Sequence, residues 1–157
     1  MTAEQLDSRE DALWQDVLAL SMLLPAAIDE ELHREAGLSL FEFSVLAMLS
    51  RRSDRTETMS RLAQATYSSA SRMSHAASRL EERGLLERTA CPTDRRSIFA
   101  HLTDAGLEKV QCSVPVHTAG IRRLVLDGLG DEDREHLARI LEILLRNGGI
   151  AGDTCRA

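Results

Sequence analysis

Aromatic residues are scarce in this chain, which has one Trp, one Tyr and three Phe among 157 residues. A core built from it must rest on Leu, Ala, Val, Ile and Met. Cysteine is also sparse and odd in number: Cys91, Cys112 and Cys155 lie far apart with no C-x-x-C. That argues against a disulfide framework and a cysteine zinc site, and points to free thiols in a reducing compartment. No run approaches the roughly 20 apolar residues that span a bilayer. The polar, acidic start "MTAEQLDSRED" lacks a signal-peptide pattern. No membrane association and a cytoplasmic location are expected. There is no P-loop, no G-x-S-x-G, no H-E-x-x-H and no clear dinucleotide fingerprint. An enzyme is not expected, and neither catalytic residues nor cofactors are assigned. His33, His101, His117 and His136 show no metal-ligand spacing, so no metal is assigned either. Internal repeats and low-complexity segments are absent.

The charge is distributed unevenly. The net charge is -6, yet residues 51–96 hold ten Arg against six Asp and Glu, a local +4. The rest of the chain carries -10. A basic middle between acidic arms suggests an anionic partner for the middle segment alone.

Apolar periodicity places the elements. Residues 11–36 read as one long helix, with Leu13, Val17, Leu20, Leu24 and Ile28 on one stripe and Trp14, Leu18 and Met22 on a second. So much apolar surface on one helix calls for more than one neighbour. Pro25 is expected to kink it and Gly37 to end it. Ser39 and Glu42 form a capping box for a second helix carrying Phe43, Leu46, Ala47 and Leu49. "RRSDRTET" reads as polar loop. A short helix over residues 59–65, a break at "TYS" and a helix capped by Ser69 follow, the last ending at Gly84. On that helix Ala70, Met73, Ala77 and Leu80 are expected to face the core. "LLERTA" and "SIFAHL" read as the two strands of a hairpin, with Ile98, Ala100 and Leu102 alternating onto one face. Thr103 caps a helix running to about Val125, with Pro115 as a possible kink. Asp131 is expected to cap a last helix bearing Leu137, Ile140, Leu141 and Leu144. The tail is expected to be disordered. The fold class is mainly α with a small β-hairpin, in which a helix–turn–helix precedes the hairpin.

The solvent face of the helix from Ser69 is unusual. It combines small polar groups, Ser69, Ser71, Ser74 and Ser78, with the donors Arg72, His75 and Arg79, and has no glutamate before Glu81. Ordinary solvated faces mix Glu with Lys, because Ser is only a moderate helix former. A helix entering the major groove of DNA needs the opposite: short side chains for close approach and long donors to reach bases or phosphates. Arg72, in the first turn, is placed to touch bases, and Arg79, two turns on, to meet phosphate. "CPTDRRSIFAHLTDAG" then sets Asp94, Arg95 and Arg96 at a hairpin tip, where paired arginines suit the anionic minor groove.

"SRLAQATYSSASRMSHAASRLEERGLLER" followed by "CPTDRRSIFAHLTDAG" resembles the multiple-antibiotic-resistance regulator (MarR) family. The "RLEERGLLER" run, the D-R-R tip and the "LTDAG" helix start match its pattern in order and spacing. The resemblance implies a single winged helix–turn–helix domain over residues 1–157. Its dimerisation helices would be 11–36 and 107–146, and its DNA-binding lobe 39–106. It also implies a homodimeric repressor of a pseudo-palindromic duplex, with Asp94 bracing an arginine at the wing tip. Thr66 and Tyr67 depart from the family's apolar residue and Gly, so a less regular turn is expected. Family members often release DNA on binding a small aromatic or phenolic effector. Trp14, Leu18, Met22, Phe41, Phe43 and Met48 are the candidates to line such a pocket. Two alternatives stay open: a thiol-based redox sensor, and a winged-helix module that binds protein without DNA. The first helix lacks the cysteine that peroxide-sensing relatives carry there.

Overall fold

The computed structural model describes residues 5–90 and 97–149. Asp7 opens helix α1 (Ser8–Ala36) by accepting the Arg9 and Glu10 N–H groups, while Glu10 reaches back to the Asp7 N–H. This reciprocal cap starts the helix three residues before Asp11, where the sequence pattern set its start. Pro25 removes one backbone donor but the helix runs on through it. Gly37 ends it in the left-handed conformation at φ 61°. Only the C-terminal part of α1 is buried, through Ile28, Leu32 and Ala36. By length and composition alone α1 could cross a bilayer.

Ser39 and Glu42 cap α2 (Leu40–Ser50) as a capping box. Phe43, Val45, Leu46 and Leu49 then fill the centre of the lobe. The segment expected to be loop contains a strand, β1 (Thr56–Thr58), so the hairpin is part of a three-stranded sheet. "TET" has no apolar alternation; its strand character comes from pairing with β3. Helix α3 (Met59–Ala65), capped by Thr58, and α4 (Ala70–Glu82), capped by Ser69, form the helix–turn–helix. Met73, Ala76, Ala77 and Leu80 bury the inner face of α4, whereas Ala70 is exposed, contrary to expectation.

Strands β2 (Leu86–Ala90) and β3 (Ile98–Leu102) pair antiparallel, and the sheet order is β1-β3-β2. Ala100 and Leu102 face the core, but Ile98, at the outer end, is exposed. His101 bridges all three strands: Nδ1 lies 2.9 Å from Thr56 Oγ1 and Nε2 2.7 Å from Thr89 Oγ1. Thr103 caps α5 (Asp104–Ile121) and also donates to the Gly84 carbonyl. Gly106 is required here, because a Cβ would lie 2.1 Å from the Leu85 carbonyl oxygen. A π-helical turn, Arg122–Leu126, follows α5, and α6 (Asp131–Asn147) ends the described chain. The cap of α6 is Gly130, whose N–H is accepted by Asp133; Asp131 is the first helical residue.

The core is one cluster joining the end of α1 to α2, α3, α4, α5 and the sheet. The first half of α1 and all of α6 stand outside it, with Leu13, Trp14, Leu20, Met22, Leu23, Ile140, Leu141 and Leu144 exposed.

Candidate nucleic-acid interface

Helix α4 carries the small-polar and cationic face where the sequence placed it. Ser69, Ser71, Arg72, Ser74, His75 and Arg79 are exposed, and Ser78 is half-buried. The Ser69 hydroxyl accepts the Arg72 N–H at 3.2 Å, fixing the start of the helix. Asp94, Arg95 and Arg96 lie outside the described residues.

The turn into α4 uses Tyr67 where glycine would be unstrained: its φ is 49°, in the left-handed region. Thr66 compensates locally by donating its hydroxyl to the Leu62 carbonyl at 2.7 Å. The departures at Thr66 and Tyr67 therefore preserve the turn and add an aromatic side chain to it.

Two ion pairs hold α4 in place, and sequence reading found neither. The side chain of Glu42, from the first turn of α2, is 8% exposed. Its carboxylate accepts the Arg79 Nε at 2.9 Å and the Ser39 N–H at 3.1 Å, and lies 3.7 Å from the Arg83 guanidinium. Burial pushes this carboxyl up, but the Arg79 hydrogen bond, the Ser39 amide and the Arg79 charge outweigh it and hold it below its ordinary value. Arg79 thus bonds to Glu42 through Nε while its side chain stays 56% exposed. It seats α4 as well as facing solvent. In the same last turn of α4, Glu81 accepts Arg88 Nε at 2.9 Å and the Arg88 N–H at 3.0 Å, tying the helix to β2. The Arg88 hydrogen bond holds the Glu81 carboxyl low. The signal for the first pair was an acidic residue within a helix otherwise made of Leu, Phe, Val, Ala, Met and Ser.

A half-open cavity of about 670 Å³ adjoins the turn between α3 and α4. Phe41, Phe43 and Met48 line it, as expected. Trp14, Leu18 and Met22 do not; they lie on the exposed part of α1. In their place stand Arg51, Tyr67, Arg72 and His117. His117 rests on the Phe43 ring, centroids 4.5 Å apart. Burial, reinforced by the nearby Arg51 charge, pushes the His117 pKa down, so the ring is neutral near pH 7. The Arg72 guanidinium lies 4.3 Å from the centroid of the Phe41 ring. The polar face of α4 and the cavity therefore share a side chain.

A helix–turn–helix that turns such a face outward beside a three-stranded wing defines the winged-helix class of transcriptional regulators. Residues 36–97 match the model of the MarR family. The uncharacterized HTH-type transcriptional regulator YkoM of Bacillus subtilis is 30% identical over 117 residues, 74% of this chain and 71% of that protein. Sco3205, a MarR family transcriptional regulator from Streptomyces coelicolor solved in complex with DNA, superposes with a TM-score of 0.87. It is 32% identical, with 92% of this chain and 91% of that one covered. AbsC, another MarR family regulator from Streptomyces coelicolor, gives 0.85 at 34% identity, covering 92% and 97%. This chain belongs to the MarR family of transcriptional regulators.

Proposed function

We propose that the chain acts as a homodimeric, sequence-specific DNA-binding repressor whose grip on its operator is released by a small aromatic or phenolic effector. One observation carries the DNA reading: an exposed Ser/Arg/His face on α4, free of carboxylates before Glu81, on a helix whose C-terminal turn is pinned by ion pairs to α2 and β2. A rigid helix can present donors at fixed spacing to base edges. The complex of the related Sco3205 with DNA supports the same use of this lobe. Ser69, Ser71, Ser74 and His75 supply close contacts, Arg72 reads bases, and Arg79 reaches phosphate with its free guanidinium nitrogens. Arg95 and Arg96, with Asp94 beside them in sequence and all three outside the described residues, supply cations for the minor groove in this reading.

The exposed apolar faces of α1 and α6 meet their counterparts in a second copy. The cavity supports the effector reading through its composition, three aromatic side chains with a few polar groups, which suits a flat ring bearing one polar substituent. Cys112 is an exposed thiol on α5, and Cys91 and Cys155 lie outside the described residues.

Selection of genomic fragments with the purified protein, followed by footprinting, tests the proposal. A protected pseudo-palindrome with half-sites about 10 bp apart is expected, with binding that weakens steeply as salt rises. Absence of salt-dependent binding to any duplex would leave the protein-interaction alternative in its place.

A further inference from the structure

Arg72 belongs to two sites at once. Its backbone sits in the first turn of α4, where the proposed recognition face begins. Its side chain lies across the Phe41 ring and forms part of the cavity wall with Arg51, Tyr67 and His117. Among the described residues no carboxylate pairs with it. The one acidic side chain in the cavity wall, Asp29, already accepts the Leu40 N–H at 2.7 Å.

We propose that Arg72 alternates between two mutually exclusive seats, the Phe41 face and the DNA groove, and that this competition sets operator affinity. The inference rests on α4 being the recognition helix. A guanidinium on an aromatic face is held by the ring quadrupole. Stacking leaves the N–H donors free in the guanidinium plane, so the two seats exclude one another by place: the Phe41 ring belongs to the cavity wall, and the head must leave that wall to reach a base or phosphate in the groove. The Phe41 seat is thus an autoinhibitory contact built into the DNA-free chain. It also supplies a route from cavity to DNA that needs no movement of α4. An anionic group bound beside Arg51 and Arg72 strengthens the inward seat and weakens DNA binding. A molecule that covers the Phe41 ring without an anion does the reverse. The sign of the response is therefore set by where the effector puts its charge.

The experiment needs no effector. Operator affinity is measured at fixed salt for the wild-type protein, Phe41→Leu, Arg72→Ala and the double variant. The duplex is the one the wild-type protein selects. An exposed cation–aromatic contact corresponds to about a two- to fivefold factor. Phe41→Leu removes the inward seat and should tighten binding by about that factor. In the Arg72→Ala background the same substitution should change nothing. Phe41→Tyr keeps a ring face and should match the wild type. Phe41→Met serves as a second ring-removing variant if Phe41→Leu lowers the melting temperature. Unchanged or weaker binding by both ring-removing variants would overturn the proposal. Equal tightening in the wild-type and Arg72→Ala backgrounds would overturn it too. Failure of the underlying reading looks different: Arg72→Ala would then bind the operator as tightly as wild type, or no duplex would be selected at all. Either result overturns the two-seat proposal along with the reading.

Discussion

Replacing Glu42 with Gln tests how α4 is seated. The substitution keeps the volume of a side chain that is 8% exposed, and the amide oxygen can still accept the Ser39 N–H. What disappears is the charge facing Arg79 and Arg83. Hydrogen bonds to a charged group are worth about 1.5–3 kcal/mol and neutral ones about 1. Breaking a fully buried pair costs about 3–5 kcal/mol. Here Arg79 is 56% exposed, so water solvates its guanidinium once the carboxylate is gone, and the loss stays well below that limit. A destabilisation of about 1–2 kcal/mol near neutral pH follows. Its pH dependence has a definite sign. The Glu42 carboxyl is held below its ordinary value of 4.5 in the folded chain. Its charge therefore stabilises the fold fully above that value, and the contribution is lost as pH falls through the lower folded-state value. Urea unfolding at one protomer concentration, near pH 7 and near pH 3, measures both effects. The gap between wild type and variant should narrow in acid. A gap below about 0.5 kcal/mol near pH 7 would be that of an ordinary surface residue. That result, or a gap unchanged by acid, would refute the clamp.

Two further outcomes follow from single residues. Gly106→Ala forces a Cβ to within 2.1 Å of the Leu85 carbonyl oxygen, a backbone atom that cannot turn aside. It should cost at least about 1–3 kcal/mol, seen as a lower melting temperature, and an unchanged melting curve would mean that α5 shifts freely against β2. His117, whose pKa is lowered, binds its proton less readily folded than unfolded. Stability should decline as pH falls below the ordinary value of 6.5 and level off below the folded-state value. His117→Phe, which keeps a ring on Phe43, should flatten that decline in thermal scans, and identical slopes for both proteins would discount the burial of the imidazole.

The elements whose signals are local were legible in the sequence. Ser39 with Glu42, Ser69, Thr103 and Gly37 mark helix ends through hydrogen bonds or backbone freedom within a few residues, and each stands where it was expected. Strand β1 was not legible, because "TET" is a strand only by virtue of its long-range partner β3. The exposed small-polar and cationic face of α4 could be read from residue types on one helix. The Glu42–Arg79 pair could not, because it joins residues 37 apart and nothing in either helix alone requires it. The cavity divides in the same way. Phe41 and Met48, seven residues apart on α2, share one face by helix geometry, whereas Phe43 joins the same wall through its packing on His117. Trp14, Leu18 and Met22 form a valid apolar stripe, but periodicity says only that a face is apolar and not what covers it. His117 enters the cavity from α5 through tertiary packing alone.

That uncovered stripe leads to the most demanding prediction. None of the 17 residues of α6 is buried within its own chain, although Ile140, Leu141, Ile143, Leu144 and Leu145 are all large and apolar. An isolated helix of this length is marginal in water. Its stability must come from contacts outside its own lobe, and the bare half of α1 has the same need. Covering a half-exposed Leu or Ile is worth about 1 kcal/mol, so five such side chains on each of two copies give about 10 kcal/mol from α6 alone. The apolar residues of α1 add a comparable amount, enough to offset the association cost of about 4–15 kcal/mol. Dimerisation and the ordering of α6 should therefore be a single event. Leu141→Asp combined with Leu144→Asp sets two carboxylates on this face. The variant should sediment as a monomer at micromolar concentration. It should also lose helical signal in far-ultraviolet circular dichroism equivalent to most of α6, while the core around Leu46 and Leu80 stays folded. Operator binding should drop to that of a single half-site, since two recognition helices about one DNA turn apart exist only in the pair. A variant that remains dimeric, or a monomer with its full helix content, would show that α6 is stabilised by something other than the second copy.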